Sequence, residues 1–270
     1  MGKFDGLLLV SDFDDTLYDS HHRVPERNLK ALDYFRRQGG RFTVATGRAH
    51  RTFSPHVHLV PIDVPVVLSN GSALYDFHQG RMLVQTLLSP TAPQDFGALM
   101  DAFPSLGIET YHDEDIFVYN PNPITVAHMK KVGTDYEVRP VSQMPVPWTK
   151  AILQQDHPLL LEVQRWLLER YGHLYEAIFS NAVLLECTAR TASKGGMVLK
   201  LAQLLGVERK DIYCVGDNQN DIPMLAVSAI PFAPANCAQE VKDSGATVLK
   251  SCEEDCIAQI VGILDMRYPS

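Results

Sequence analysis

Short apolar runs that alternate with amphipathic helical patterns constrain the fold of this chain more than any other feature. The runs at 7–12 and 41–48 each precede a helical stretch, and a third run covers 64–71. The same alternation returns from 193 onwards. Apolar strands that alternate with helices are typical of a parallel sheet covered on both faces, so the pattern predicts an α/β fold with a doubly wound parallel sheet. Ligands of such sheets bind at the carboxyl ends of the strands.

The middle of the chain has a different pattern. Between about 83 and 188, several strand-like segments accompany only two or three helical ones, the longest of which covers 158–172. This mixture predicts an α+β module inserted into the parallel domain. We therefore predict a discontinuous core made of 1–82 and 189–270, with an inserted domain at 83–188.

Charge and cysteine content narrow the class of protein. The net charge of −8 over 270 residues argues against nucleic-acid binding, which relies on clustered Lys and Arg, but leaves room for a small anionic ligand. The five cysteines are scattered without a CxxC pair, which favours reduced thiols. The first apolar run is shorter than a secretory or membrane segment requires. These features predict a soluble cytoplasmic protein with no nucleic-acid or membrane partner, and they leave its oligomeric state open.

Two carboxylates follow the first strand. Asp12 and Asp14 can both project from its carboxyl end, while Phe13 turns the other way. A carboxylate in this position can attack phosphorus and form a covalent phosphate. A second carboxylate can protonate the leaving alkoxide and later deprotonate water. The alternative is a solvated acidic turn that caps a helix through Thr16.

Two further strand ends and one helix start carry polar residues. Thr46 and Gly47 follow the second strand, where a hydroxyl and an amide can donate to phosphate oxygens, and a Ser-Asn-Gly turn at 69–71 ends the third strand. Lys194 stands near the start of a helix, where the macrodipole disfavours a cation. This lysine is therefore either solvated or faces an anion.

A fourth group of polar residues follows a later buried strand. It contains Asp217, Asn218, Asn220 and Asp221. Hard oxygen ligands of this kind suit Mg²⁺, which usually takes one or two carboxylates together with water and substrate phosphate. The alternative is a turn that is merely rich in Asx residues.

Together and in this order, the motifs resemble those of the haloacid dehalogenase-like superfamily, and within it the Cof-type hydrolases with a large α/β cap. The resemblance rests on SDFDDTL, ATGR, VVLSNGSALYD, SKGGMVL, GDNQNDIPML and AQEVKDSGATVL. It covers nearly the whole chain, with the insertion between the Thr46 and Lys194 motifs. It implies a Rossmann-like doubly wound core with an inserted α+β cap domain. It also implies Mg²⁺-dependent hydrolysis of small phosphate monoesters, sugar phosphates above all, through an aspartyl-phosphate.

The resemblance also implies roles for the four aspartates. Asp12 is expected to be the nucleophile and a metal ligand. Asp14 is expected to be the general acid/base, with its main-chain carbonyl on the metal. Asp217 is expected to bind the metal directly and Asp221 through water.

Further residues are expected to contact the substrate. The resemblance implies that the phosphoryl oxygens are held by the Phe13 amide, Thr46, Gly47, Lys194 and Asn220. We expect Arg48, Asn70 and Gly71 close to the substrate. One position departs from the family pattern, because Asp15 stands where the family usually has Gly. This change is expected to alter the turn geometry and the local charge on Asp14.

Two other kinds of function stay open at this point. A phosphotransferase or phosphomutase would pass the same aspartyl-phosphate to an alcohol instead of water, and a non-catalytic relative would only bind a ligand. Three side chains are expected on the surface. His56 and His58 form an HxH pair away from the carboxylates, and Glu186 is expected to be solvated, although such a residue could contribute to specificity.

Overall fold

The computed structural model of the chain describes residues 2–113 and 115–269. The chain forms two compact units. The first, here the core unit, contains the chain up to Gly47, Phe53–Val84 and the chain from Ser193 onwards. The second, here the cap unit, contains Arg48–Thr52 and Gln85–Ala192. Among the described residues, no helix is both long and apolar enough to cross a membrane.

A five-stranded sheet forms the centre of the core unit. Its strands are β1 (Leu8–Ser11), β2 (Arg41–Val44), β12 (Ile212–Val215), β13 (Pro231–Ala233) and β14 (Thr247–Val248). Their order is β14-β13-β12-β1-β2, and every pair is parallel. Strand β1 therefore lies between a neighbour that follows it directly and one from the last quarter of the chain.

Helices cover both faces of this sheet. The core-unit helices are α1 (Glu26–Arg37), α6 (Lys194–Leu205), α7 (Ile222–Leu225), α8 (Gln239–Asp243) and α9 (Cys256–Arg267). Alternate residues of β1 point to opposite faces: Leu9 packs in a cluster with α1 and α9, whereas Leu8 and Val10 pack in a cluster with α6 and α7. The largely apolar composition of β1 thus reflects burial on both sides.

A small second sheet completes the core unit. It consists of β3 (Val66–Leu68), β4 (Ala73–Asp76) and β5 (Arg81–Gln85), in that order. Strands β3 and β4 are antiparallel, and an isolated parallel bridge joins Ala45 to Val67. This bridge places the Ser-Asn-Gly turn after β3 beside the residues that follow β2.

The cap unit is an α+β structure with a six-stranded sheet. Its strands are β6 (Gly107–His112), β7 (Asp115–Tyr119), β8 (Glu137–Val138), β9 (Lys150–Gln154), β10 (Tyr175–Asn181) and β11 (Leu184–Ala189), in the order β10-β11-β9-β6-β7-β8. Pairing is antiparallel except between β7 and β8. Its longer helices are α3 (Ala92–Ala102), α4 (Pro123–Val132) and α5 (His157–Tyr171). Helices α3 and α5 pack on one face of the sheet, and α4 contributes Met129 to the cluster on the other.

The short segment Arg48–Thr52 belongs to the cap unit, although the sequence placed it within the core. Helix α2 (His50–Phe53) begins in this segment. Ala49 is buried in an apolar cluster with Tyr111 and Ile116, and Arg51 pairs with Asp115 at 3.4 Å. No periodicity in so short a segment could have indicated these long-range contacts. The other changes of unit fall after Val84 and Ala192, whereas the sequence-based boundaries were 82/83 and 188/189.

Candidate active site

Asp12 lies at the carboxyl end of the central strand of the core unit. Its N–H donates to the Val215 carbonyl at 2.8 Å, so pairing with β12 continues one residue past β1. The side chain is buried, with 6% of its surface exposed. Phe13 is fully buried and stacks on Tyr18, with ring centroids 4.7 Å apart. Asp14 is half-buried. The burial of Phe13 is consistent with the sequence-based expectation that it turns the other way from the two carboxylates.

A tight turn after β12 carries Asp217 and Asp221. Oδ2 of Asp221 accepts hydrogen bonds from the N–H groups of Asp217, at 2.9 Å, and Asn218, at 3.1 Å. A Cβ at Gly216 would lie 2.4 Å from Cβ of Asp221, so only glycine permits this approach. The fully buried Asp221 therefore stabilises the turn through these hydrogen bonds. They also fix the backbone position of Asp217.

Lys194 is the first residue of α6 and forms ion pairs with two carboxylates. The Ser193 side chain caps this helix by accepting from the Gly196 N–H at 3.0 Å. Nζ of Lys194 lies 2.5 Å from Oδ1 of Asp12 and 2.6 Å from Oδ1 of Asp221. Lys194 is 1% exposed. These two carboxylates offset the cost of burying a cation at the positive end of the helix.

Two glycines allow the start of α6 to approach its neighbours this closely. A Cβ at Gly71 would lie 2.0 Å from the Ser193 carbonyl oxygen, and one at Gly195 would lie 2.0 Å from the Pro223 carbonyl oxygen. Both contacts involve backbone atoms, which cannot rotate away. The helix start is therefore wedged between the turn after β3 and the start of α7, and this fixes the position of Lys194.

The three aspartates form a group suited to a divalent cation. One carboxylate oxygen from each of Asp12, Asp217 and Asp221 lies within 4.8 Å of the others. When all three carboxylates are ionised, they and the Lys194 ammonium carry a net charge of −2, which a divalent cation would neutralise. All the donors are hard oxygens, the type that Mg²⁺ binds. The residues present therefore fit such an ion.

Burial and charge change the pKa values of these groups in the metal-free protein. Burial raises the pKa of Asp12 well above its usual range, against the opposing effect of Lys194. Burial, with the charge of Asp221, raises the pKa of Asp217 to about 7. Burial alone would lower the pKa of Lys194, but the charges of Asp12 and Asp221 together hold it above its usual value. The lysine is thus charged at neutral pH, and the group retains protons more readily than isolated carboxylates do.

A second group of polar residues lies at the ends of β2 and β3. Thr46 is buried, and its carbonyl accepts from the Asn70 N–H at 3.1 Å. Asn70 has a left-handed backbone, with φ of 54°. Its Oδ1 accepts from Nδ2 of Asn220 at 3.0 Å. Oδ1 of Asn220 is buried and has no hydrogen-bond partner within the described part of the chain. A buried amide oxygen in this state leaves an acceptor for an incoming donor.

The structure divides the residues that the sequence singled out. Asp12, Asp217, Asp221 and Lys194 meet directly in the core unit. A separate chain of contacts joins three others in the same unit, namely Thr46, Asn70 and Asn220. Gly47 is the last residue of the first core-unit segment, and Gly71 packs on Ser193. Arg48 belongs to the cap unit, where its Nη1 donates to the Thr52 carbonyl at 3.2 Å. The catalytic and binding roles assigned to all these residues stay predictions.

Of the three side chains expected on the surface, His58 is exposed, His56 is half-buried and Glu186 is buried, so the expectation for Glu186 was wrong. His56 is half-buried, and its ring packs edge-on against Phe13 and Tyr18, with centroids 5.7 and 5.5 Å apart. Glu186 is 7% exposed and pairs with the buried Lys150 at 3.1 Å within the cap unit. Glu186 is the one charged residue of β11, which is a weak indication that its side chain forms a buried ion pair. The sequence of β11 does not identify the partner, because Lys150 lies on β9.

The sequence also left two supporting residues without a role in the site. Thr16 appeared only as a possible helix cap, yet its hydroxyl donates to Oδ1 of Asp217 at 3.1 Å. Asn236 was not singled out, yet its amide contacts the loop that contains Asp14. Both contacts join segments more than 200 positions apart, so local sequence patterns could not indicate them.

A family model of haloacid dehalogenase-like hydrolases matches residues 9–261. The chain therefore belongs to this family. The resemblance that the motifs indicated is confirmed, as is the predicted class of enzyme, a hydrolase.

Individual proteins are similar over nearly the whole chain. A putative phosphatase of Bacillus subtilis (strain 168) is 25% identical, covering 94% of this chain and 96% of its own length. An HMP-PP phosphatase of Escherichia coli O81 (strain ED1a) is 27% identical, with 87% and 86% covered. The structure of a sugar phosphatase of haloacid dehalogenase subclass IIB aligns with a TM-score of 0.82 at 17% identity, with 95% and 98% covered. The predicted fold class, a Rossmann-like α/β core with an α+β cap, is confirmed.

Proposed function

We propose that this chain is a Mg²⁺-dependent phosphatase that hydrolyses small phosphate monoesters through an aspartyl-phosphate on Asp12. The observation that carries the proposal is the meeting of the buried Asp12, Asp221 and Lys194 with the half-buried Asp217 in one group. These side chains come from the ends of two neighbouring parallel strands and from a helix start, where ligands of such sheets bind. A buried group with this charge balance and these shifted pKa values is typical of a catalytic site.

The first step transfers the phosphoryl group to the protein. A carboxylate oxygen of Asp12 attacks phosphorus and forms an O–P bond, while the bond from phosphorus to the leaving oxygen breaks. A proton-carrying Asp14 gives its proton to that leaving oxygen, so an alcohol departs. The negative charge of the transferred group spreads over its equatorial oxygens, and Lys194 would stabilise that charge.

The second step returns the protein to its starting state. The Asp14 carboxylate, which lost its proton in the first step, accepts one from water. The oxygen of that water attacks phosphorus, and the bond between Asp12 and phosphorus breaks. Inorganic phosphate leaves, and Asp14 again carries the proton needed for the next substrate.

The residues that would hold Mg²⁺ are Asp12, Asp217 and the main-chain carbonyl of Asp14, with Asp221 acting through water. When bound, the ion supplies charge neutralisation between the nucleophile and an anionic phosphate. An indirect role suits Asp221, because both of its oxygens already accept hydrogen bonds from Lys194 and from two backbone N–H groups.

Other residues are proposed to hold and orient the substrate. The Phe13 and Gly47 amides, Thr46, Lys194 and Asn220 would contact the phosphoryl oxygens. The bond from Asn220 to Asn70 gives that amide a fixed orientation, and the second hydrogen on Nδ2 is the one that would donate to a phosphoryl oxygen. Arg48, Asn70 and Gly71 are proposed to lie close to the substrate.

The proposed substrates are small phosphorylated metabolites of the cytoplasm, with sugar phosphates as the favoured class. The named relatives include an HMP-PP phosphatase and a structurally similar sugar phosphatase, both of which act on small phosphorylated compounds by name. Release of inorganic phosphate into water distinguishes this proposal from a phosphotransferase, which would transfer the group to an added alcohol instead.

Hydrolysis of p-nitrophenyl phosphate and of a panel of sugar phosphates, with and without Mg²⁺, tests the proposal. We expect turnover that needs Mg²⁺ and falls at least about 1,000-fold in Asp12→Asn, since asparagine cannot form the covalent phosphate. Asp33→Asn is the matched control, because Asp33 is exposed and pairs only locally with Arg37. Circular dichroism checks that both variants fold. Equal turnover in Asp12→Asn and the unmodified chain would remove the nucleophile from the proposal, and phosphate transfer to added alcohols would favour a transferase.

A further inference from the structure

The side chain of Asn236 joins the catalytic loop to the C-terminal part of the chain. Its Nδ2 donates to the main-chain carbonyl of Asp15 at 2.7 Å, and its Oδ1 accepts from the Cys252 N–H at 3.0 Å. Asn236 lies between β13 and α8, in the core unit. The Asn236 side chain therefore pairs both with the carbonyl of Asp15, the residue after Asp14, and with the N–H of a residue 16 positions after Asn236 itself.

The backbone conformation of Asp15 explains why the loop that contains Asp14 benefits from this outside hydrogen bond. Asp15 has a φ of 60°, in the left-handed region where side chains are disfavoured. Glycine adopts this region freely, because it has no Cβ. Asp15 adopts this conformation at a higher cost than glycine, so contacts with its surroundings help to stabilise the left-handed turn.

Backbone hydrogen bonds close the loop on itself but leave the Asp15 carbonyl for an outside partner. The Asp15 N–H donates to the Tyr18 carbonyl at 2.9 Å, and the Tyr18 N–H donates to the Phe13 carbonyl at 2.8 Å. These bonds fix the two ends of the turn. The amide of Asn236 fixes its apex, immediately after Asp14.

We propose that Asn236 is a positioning residue that holds Asp15 in its left-handed conformation and thereby keeps Asp14 oriented as the general acid. This inference rests on the proposed function for the role of Asp14. An amide suits the task because it donates on one side and accepts on the other, whereas a carboxylate could only accept. The same short segment also receives the backbone of the metal-binding turn, since the Ala238 N–H donates to the Asp217 carbonyl at 2.8 Å.

The substitutions Asn236→Asp and Asn236→Ala test the inference together. Both substitutions remove the donor to the Asp15 carbonyl. Only Asn236→Asp keeps an acceptor for the Cys252 N–H, and only this variant adds a charge. An effect that both variants share is therefore due to the lost donor. The control is Gln259→Glu, which adds the same charge in the core unit and keeps the acceptor that Gln259 offers to the Lys250 N–H.

The measurement is kcat/KM for two substrates of different leaving-group acidity. An alkoxide needs a proton to leave and nitrophenolate does not, so a misplaced acid harms only the first. We expect kcat/KM to fall about tenfold for an alkyl phosphate that the unmodified chain hydrolyses, and less than about threefold for p-nitrophenyl phosphate. Equal losses on both substrates, or no loss, would overturn the positioning role.

Two further readouts keep the inference separate from the proposed function. In Asn236→Ala, adding Asp15→Gly should restore most of the lost kcat/KM, because glycine holds the left-handed turn without help. Hydrogen exchange of the Asp15 and Tyr18 amides needs no turnover, and we expect it to become at least about tenfold faster in Asn236→Ala. Unchanged exchange would refute the hold on the loop. Faster exchange in a chain that hydrolyses no phosphate monoester would leave the hold standing and remove the catalytic role.

Discussion

The hydroxyl of Thr16 donates a hydrogen bond to Oδ1 of Asp217 at 3.1 Å, across 201 positions of sequence. Thr16 is fully buried, and its own carbonyl accepts a weak bond from Sγ of Cys256 at 3.6 Å. The loop that contains Asp14 thus orients a carboxylate on the neighbouring strand end. In the proposed function Asp217 is a metal ligand, and a hydrogen-bond partner of this kind fixes the direction of a ligand's lone pairs.

Replacing Thr16 by valine should weaken metal binding without unfolding the chain. Valine keeps the shape of threonine but cannot donate to Asp217, so the carboxylate loses its orientation. We expect the Mg²⁺ concentration for half-maximal activity to rise about 10- to 100-fold. The rise in melting temperature on adding Mg²⁺ should shrink as well, and this measurement needs no substrate.

Thr43→Val is the matched control for this change. Thr43 is equally buried in the core unit, but its hydroxyl donates to the Pro65 carbonyl, at 2.9 Å, and to no carboxylate. If Thr43→Val and Thr16→Val raised the Mg²⁺ requirement equally, the contact with Asp217 would have no special effect on the metal.

Alanine substitution at two helical glycines should have opposite effects on stability. Gly195 lies in the first turn of α6, where a Cβ would meet the Pro223 carbonyl oxygen, and we expect Gly195→Ala to lower the free energy of unfolding by roughly 1–3 kcal/mol. Because the helix start must shift, activity should fall too. Gly262 lies in α9 with open space around it, so Gly262→Ala should raise stability by about 0.5–1 kcal/mol. Urea unfolding measures both, and a stabilising Gly195→Ala would contradict the wedged start of α6.

The metal-free protein should lose stability as the pH rises through the titration of Asp217. In the unfolded chain this carboxyl has a pKa of about 3.9. In the folded protein its pKa is about 7. Between these values the folded state holds a proton that unfolding releases, so the free energy of unfolding falls with increasing pH in this window. With a chelator present, we expect a lower melting temperature at pH 8 than at pH 5.5.

Two comparisons test the origin of this pH dependence. Asp217→Asn cannot titrate at this position and should show a smaller difference between the two pH values. The proposed Mg²⁺ would bind the ionised carboxylates, so we expect added Mg²⁺ to raise the melting temperature more at pH 8 than at pH 5.5. An identical pH dependence in Asp217→Asn would show that another group is responsible.

The sequence contained enough information to predict the alternating strands and helices of the core and the elements that carry the acidic motifs. Leu8 to Ser11 are apolar or small, which was enough to predict the first strand from the sequence. The structure buries all four residues, as a strand covered on both faces requires. For Lys194, the unfavourable position at a helix start left two possibilities, a solvated side chain or a nearby anion. The contact with Asp12 and Asp221 is the second of these.

What the sequence could not indicate depends on contacts between distant segments. The pairing of Lys150 with Glu186 needs the register between β9 and β11, and neither strand reveals it alone. The inclusion of Arg48–Thr52 in the cap unit depends on Ala49 and Arg51 meeting residues more than 60 positions away. Asp15 appeared as a departure from a family pattern, but only its φ of 60° gives that departure a physical meaning.

The place of β1 in its sheet has a consequence for biosynthesis. One of its two neighbours, β2, is translated within the next few seconds, but β12 begins at Ile212, about 200 residues later. At roughly 5–20 residues per second, the ribosome needs about 10–40 s to deliver that partner. During this delay the edge of β1 that pairs with β12 has no native neighbour, and chaperones have time to shield it. Truncated chains that stop before this strand should therefore aggregate when they are released.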